Sequence, residues 1–415
     1  MHPGDPQAAS AGASAAARRR YGPALAAVTA LFFVWGFLTA LNDILVPHLK
    51  KVFDLGYARG ALVQFCFFSA YFLVSLPAGK VIARVGYKRG ILAGLALAGA
   101  GALLFYPAAS IPSYAFFLCA LFVLASGIVF LQVAANAYVA VLGPPEGAPS
   151  RLNLTQAFNS LGTTVAPLFG GYVILAQQGA DRLTEAHAVR LPYLGITLAL
   201  LMLAGAVALV DLPRVPAAEG DAGGSLLHAL RARHLVLGVV AVFLYVGAEV
   251  SIGSFMVNFL EQPRIGALDA VTAARHVSFY WGGAMVGRFA GSLVLRRVDA
   301  SRLLAACATC AAALVTAALL GSGPLAMWSL LAVGLCNSIM FPTIFTLGIA
   351  GLGHETSRGS GLLVMACVGG AVIPVLVGLL ADRAGLQRAF VLPALCYVYI
   401  VFYGLRGSRR SAAGR

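Results

Sequence analysis

The sequence predicts an all-α integral membrane protein, with twelve transmembrane helices in two pseudo-symmetric six-helix bundles. Three observations predict it. First, of 415 residues 60% are hydrophobic and only 11% charged, and mean hydropathy is +0.87, whereas soluble domains carry about 25% charged residues. Second, the apolar residues form continuous runs near the ~20 residues that span a bilayer as a helix, and not the alternating pattern of a β-barrel. Third, a single long polar interior segment, "PRVPAAEGDAGGSLLHALRARH" (213–234), divides the runs into six and six.

In chain order, residues 1–22 form an N-terminal tail. Its Ala-rich, polar start lacks the apolar core of a cleavable signal peptide, so the first span is expected to direct insertion. Residues 23–212 hold spans near 24–48, 60–83, 90–108, 112–142, 152–177 and 191–212. Pro, Gly and charge make 213–234 a linker. Residues 235–407 hold spans near 235–260, 276–296, 302–321, 325–351, 360–381 and 388–406, and 408–415 form a C-terminal tail. The halves look related. "LGTTVAP" (161–167) and "VGGAVIP" (368–374) share Gly-x-x-x-x-Pro at an offset of 207, and "FFVWG" (32–36) and "FLYVG" (243–247) share Phe-x-x-x-Gly at an offset of 211.

A formal charge of +14 has a topological reading. With the N-terminus inside, 19 Lys and Arg fall in inner segments and 9 in outer ones, and Arg288 is left within a span. This asymmetry places both termini in the cytoplasm and makes the partner a lipid bilayer of the cell (inner) membrane rather than nucleic acid. All seven cysteines fall in apolar spans and read as small helix- or lipid-facing residues. "CATC" (307–310) lacks a second ligand pair, so no metal or cofactor is expected. No His-x-x-x-His or Gly-x-Ser-x-Gly constellation is present, which argues against an enzyme. No signalling domain accompanies the bundle to suggest a sensor.

Polar residues inside spans are costly and mark function or pairing. A central aspartate costs about 2.5–3.5 kcal/mol on insertion scales. Asn42 and Asp43 in "GFLTALNDILVPHLKK" (36–51) and Glu249 in "GAEVS" lie in the first spans of the two halves. A carboxyl that meets alternately dry and wet surroundings can take up and release a proton, so Asp43 and Glu249 are the candidate coupling groups. Arg288 is expected to bond helix-end carbonyls near the cytoplasmic face, the alternative being a buried ion pair with one of the acids. Gln132 and Asn136 share one helix face, as do Gln156 and Asn159. Amides offer donors and acceptors without net charge, which suits a polyhydroxyl solute. Asn42 and Asn337 add to that set, and Trp281 offers an aromatic face. The alternative for each amide is interhelical hydrogen bonding.

The stretches "FLTALNDILVPHLKKVF", "QFCFFSAYFLVSLPAGK", "LQVAANAYVAVLGPP", "SRLNLTQAFNSLGTTVAPLFGG", "YVGAEVSIGSF", "FYWGGAMVGRF" and "FPTIFTLGIAGLG" resemble the fucose–galactose–glucose:proton symporter family of the major facilitator superfamily, closest to its glucose/galactose branch. The resemblance implies a major facilitator fold, a central site for a neutral monosaccharide, and alternating access. It makes Asp43 the counterpart of a functional first-helix aspartate and Asn159, with Gln156 beside it, the counterpart of a site amide. A fourth-helix glutamate of the fucose branch falls on Gln132, which cannot titrate. Either Glu249 replaces it across the cavity or Asp43 couples alone. The implied coupling ion is a proton, with sodium the alternative; a proton/drug antiporter is the second reading of the fold, and a monomer is expected. The superfamily's Gly-x-x-x-Asp-Arg-x-Gly turn is here "GKVIARVGYKRG" (79–90). Ala83 stands at the aspartate position while Arg84, Gly86, Lys88 and Arg89 keep the turn and its charge. A gate involving Arg84 is therefore expected to be weaker or supplied elsewhere.

Overall fold

The computed structural model describes residues 22, 24–40, 53, 57–111, 113–173, 190–210, 212–213 and 226–409. Twelve principal helices are found among the described residues. They are α1 (Ala24–Ala40), α2 (Tyr57–Val85), α3 (Tyr87–Ser110), α4 (Tyr114–Val141), α5 (Ala148–Val173) and α6 (Arg190–Leu209) in the first half. The second half has α7 (Arg233–Leu260), α8 (Ala270–Val294), α9 (Ala300–Leu320), α10 (Gly323–Asn337, resumed at Met340–Ile349), α11 (Thr356–Met365 and Gly369–Ala384) and α12 (Val391–Phe402). A helical turn at Leu226–Ala229 precedes α7. No strand occurs among the described residues. Lipid offers no partner for a backbone N–H or C=O, so these apolar runs must satisfy their own peptide groups as helices.

Side chains that face outward are those of a lipid-exposed surface: Phe65, Leu191, Met202, Leu209 and Leu320 are all exposed. Nine helices among the described residues are long and apolar enough to cross a membrane. Those nine do not include α5 and α8. Both carry a polar load along their length, including Asn153, Gln156 and Asn159 on α5 and Arg275, His276 and Arg288 on α8. They pack against each other across the two halves. The polarity of Asn153 and Arg288, which would be unfavourable against lipid, is thus placed between the halves.

Tight turns separate some helices. Gly86 (φ 84°) joins α2 to α3 and Gly385 (φ 88°) follows α11, both in the left-handed region that glycine enters freely. The turn expected at Gly86 is therefore formed. Lys88 donates to the carbonyls of Ala208 and Val210 at 2.9 Å each and so closes the end of α6. Arg84 is exposed at the end of α2.

The two short internal matches become corresponding helix crossings, α1–α5 and α7–α11, in the two halves. A side-chain carbon at Gly162 would collide with the carbonyl of Phe33, so α5 crosses α1 backbone to backbone. At Gly369 it would collide with the carbonyl of Phe243, where α11 crosses α7. Gly36 and Gly247 sit at the same two crossings, against Asn159 and Ile373 respectively. Small residues permit such approach in membranes, where dispersion and close packing drive association.

Contacts between the halves run along α2–α11, α4–α11, α5–α8 and α5–α10. Hydrogen bonds fasten this seam. Ser150 Oγ donates to the Ser292 carbonyl (2.6 Å), Asn153 Nδ2 to the Arg288 carbonyl (2.7 Å) and Ser360 Oγ to the Val133 carbonyl (2.8 Å). Gly79 and Gly361 let α2 and α11 touch through backbone atoms of Ser357 and Ser75. All of these lie towards the ends at Val85, Val141, Ala148, Val294 and Thr356.

Candidate functional site

On the first-half side, α4 and α5 present the expected amides. Gln132 is buried and donates through Nε2 to the hydroxyl of Tyr71 on α2. Asn136, one turn on, is fully buried, and Gln156 Nε2 reaches its Oδ1 at 3.4 Å, a long contact. The Nδ2 of Asn136 has no partner. Asn159 donates through Nδ2 to the Phe32 carbonyl at 3.0 Å, tying α5 to α1. The structure thus brings Asn136 and Gln156 together, with one buried amide donor unspent, while Gln132 turns to α2 and Asn159 to α1. Asn42 and Asp43 lie outside the described residues.

On the second-half side the polar groups form a closed circuit. Tyr245 Oη stands 2.8 Å from Glu249 Oε1 and 3.0 Å from the Asn337 carbonyl. Asn337 is fully buried; its Nδ2 donates to Tyr280 Oη and its Oδ1 accepts from Tyr397 Oη, each at 2.8 Å. Tyr280 Oη in turn lies 3.4 Å from the Glu249 carbonyl. Asn337 therefore fixes three helices, α8, α10 and α12, and its amide is committed to tyrosines. Trp281 is exposed on the same face of α8 as Met285 and Arg288. It packs edge-on to Tyr280 at 5.1 Å and covers Gly253, one turn beyond Glu249.

Arg288 combines both of its expected roles. Its Nε donates to the Ser338 carbonyl at 3.3 Å, one Nη donates to Ser160 Oγ on α5, and the other Nη stands 4.0 Å from Glu249 Oε1. The Ser338 carbonyl is free for it because Pro342, four residues on, has no N–H to complete the helical bond. This accounts for the break in α10 at Ser338–Ile339. The Asn337 carbonyl, at the same break, is taken up by Tyr245.

At 4.0 Å two unit charges attract by about 4 kcal/mol at an effective dielectric of ~20. The desolvation of two largely buried charges opposes this by several kcal/mol per ion, so the Glu249–Arg288 pair adds little net stability. Tyr245 makes both states of Glu249 affordable in hydrogen bonds. When the acid is ionised, the tyrosine O–H donates to it. When it is protonated, the acid donates to Tyr245 Oη and the tyrosine proton turns to the Asn337 carbonyl.

Sequence reasoning did not find the tyrosine partners or Ser160. Tyr245 lies four residues before Glu249 and so on its face of the helix, which is the signal that could have found it. Tyr71, Tyr280, Tyr397 and Ser160 meet their partners only through tertiary packing.

Comparison with known proteins gives the family and the fold. A sequence model of the Major Facilitator Superfamily matches residues 24–374. The chain belongs to that superfamily. It is 55% identical over 397 residues to a protein named glucose/galactose transporter from Brucella abortus biovar 1 (strain 9-941), covering 94% of this chain and 96% of that one. It is 34% identical over 411 residues to the L-fucose-proton symporter of Escherichia coli (strain K12), covering 93% of each. Among solved structures it matches the major facilitator transporter FucP in the outward conformation, with a TM-score of 0.85 and 33% identity over 93% of this chain and 99% of that one. The chain is a multi-pass membrane transporter of the major facilitator fold, as its sequence predicted.

Proposed function

We propose that this protein imports a neutral hexose of the glucose/galactose type by proton symport through alternating access. The observation that carries the reading is the division of polar work across the centre. Amides with an unspent donor lie on α4 and α5, and a carboxyl with a partner for either protonation state lies on α7. The names borne by the 55% and 34% identical relatives support the same substrate class and coupling.

In this reading Gln132, Asn136, Gln156 and Asn159 bind sugar hydroxyls, joined by Asn42, and Trp281 offers its face to the ring. Asn337 supports the site by holding its tyrosines. Asp43 and Glu249 take protons from outside as the sugar binds and release them inside. The inner membrane houses the protein as a monomer with both termini cytoplasmic, 213–234 linking the halves and no cofactor beyond the coupling proton. The fastened seam then lies on the cytoplasmic side and the site opens outward. Arg84 adds basic charge to the inner face, while the gate is carried by the seam itself.

Uptake of labelled glucose, galactose and fucose into proteoliposomes tests this, with inward proton and inward sodium gradients imposed separately. Proton-driven accumulation of glucose or galactose, lost in Asp43→Asn while exchange persists, is expected. Accumulation only with sodium would make the acids cation ligands. No uptake under either gradient would overturn the sugar assignment.

A further inference from the structure

We infer that Ser160 and Arg288 form a latch between the two halves, held shut while Glu249 is charged and released when Glu249 is protonated. The inference rests on the transport reading above and names residues through which coupling reaches the seam. Ser160 is a positioning residue in this scheme and needs no contact with sugar.

Arg288 is bound on three sides. On its own half it meets the Ser338 carbonyl of α10 and Glu249 of α7, and on the other half it meets Ser160 of α5. Its backbone is held to the same helix, because Asn153 Nδ2 donates to the Arg288 carbonyl. Around it the seam is sealed by the Ser150–Ser292 bond and by the edge-on packing of Phe158 against Phe289 at 5.9 Å. The guanidinium is therefore a charge enclosed by both halves, compensated at 4.0 Å by one carboxylate.

Protonating Glu249 removes that compensation and leaves the cation in a closed, poorly hydrated seam. Losing one partner of a buried pair is costly because the other charge remains. Separation of α5 from α8 relieves the cost by admitting water to Arg288. Deprotonation restores the pair and favours closure. The sign matches symport: the loaded, protonated carrier opens inward and the emptied, deprotonated carrier closes again.

A second observation points the same way. Asn153 Oδ1 and Thr343 Oγ1 are buried without hydrogen-bond partners. Asn153 and Ile339 converge on Gly291, and Thr343 follows Ile339 by one turn of α10. Unpaired buried polar atoms are unfavourable, and a seam that opens to water satisfies them.

Among the described residues, the groups that face Glu249 from the elements around it are Tyr245 on its own helix, Tyr280 and Arg288 on α8, Cys367 on α11 and Tyr397 on α12. Among these, Arg288 alone bears a charge when its side chain is in its ordinary form, so Glu249 is the titrating member of the latch.

The test is hydrogen–deuterium exchange on the full-length protein in lipid nanodiscs without sugar, at acidic and alkaline pH, corrected for intrinsic exchange and read at residues 148–164 and 285–294. Wild type is expected to be more protected at alkaline pH. Ser160→Ala should lose about tenfold in protection there, the size expected of one hydrogen bond to a charged group, and match wild type in acid. Ser160→Thr should restore protection, and Glu249→Gln should exchange fast at both pH values. The latch is overturned by an unchanged Ser160→Ala, by a loss equal at both pH values, or by a pH dependence that survives in Glu249→Gln and vanishes in Asp43→Asn. Because no sugar is present, a failure of hexose uptake would refute the transport reading and leave this result standing.

Discussion

On the α4–α5 side of the centre, Asn136 holds Gln156 by a contact of 3.4 Å and keeps an amide nitrogen unpaired. On the α7–α8–α10–α12 side, Asn337 gives its amide to two tyrosines at 2.8 Å, and a third tyrosine takes its carbonyl at 3.0 Å. Two asparagines of the same burial thus do opposite work. The first network keeps a donor without a partner, whereas the second has its amide fully committed and fixes the surroundings of a charge. The halves share a helix-crossing geometry at Gly162 and Gly369. What distinguishes them is which polar atoms are left over.

The strongest way to break this comparison is to neutralise the charge that the complete network surrounds. Glu249→Gln should reduce accumulation to equilibration while sugar exchange continues, measured as net uptake against counterflow in proteoliposomes. If accumulation survives, the second half does not hold a coupling group.

The two asparagines give the next largest contrast. Asn337→Ala should cost about 2–3 kcal/mol of stability by orphaning buried tyrosine hydroxyls, read as a lowered melting temperature in detergent. Asn136→Ala should leave that temperature nearly unchanged and raise the KM for sugar about tenfold. Equal stability losses would erase the distinction.

The shared geometry can be tested separately. Gly369→Ala should destabilise by about 1–3 kcal/mol, as overpacking of a tight contact does. Gly205→Ala, where a side-chain carbon would meet nothing within 4 Å, should be neutral by the same thermal assay.

The smallest expected effect lies outside both networks. Asp299 caps α9, accepting from Ser301 Oγ at 2.6 Å and from the Arg302 amide at 3.0 Å, and these bonds hold its carboxyl below the ordinary aspartate value. A depressed value in the folded state stabilises above the unfolded value and is lost as the pH falls through the folded one. Asp299→Ala should therefore cost about 1 kcal/mol at neutral pH and progressively less in strong acid, with transport unaffected. A pH-independent loss would mean that the charge is not what the cap uses.

Helix positions were legible because hydrophobic length is a property of consecutive residues. The span expected near 191–212, for instance, is found as Arg190–Leu209, and that near 302–321 as Ala300–Leu320. The amide pairs were legible for the same local reason, since spacings of three and four place side chains on one face. The break in α10 was not foreseen, although Pro342 was in view, because a proline frees a carbonyl without saying what will take it. Arg288 takes it from another helix. The burial of Glu355 and its ion pair with Arg358 at 2.8 Å also escaped notice. Both sit where the sequence reads as a cytoplasmic turn, and burial there comes from the packing of α11 against α2 and α4.

Neither Glu249 nor Arg288 has a countercharge on its own helix at the centre of the span. Charged residues at the centre of a span each oppose insertion by about 2.5–3.5 kcal/mol. Glu249 lies on α7 and Arg288 on α8, consecutive in the chain and in contact in the fold. Entering the bilayer as a hairpin would let the first charge wait for the second at the translocon, so that the lipid receives a pair and not two ions. The contact that pairs the two charges in the finished protein would then also ease their entry into the membrane.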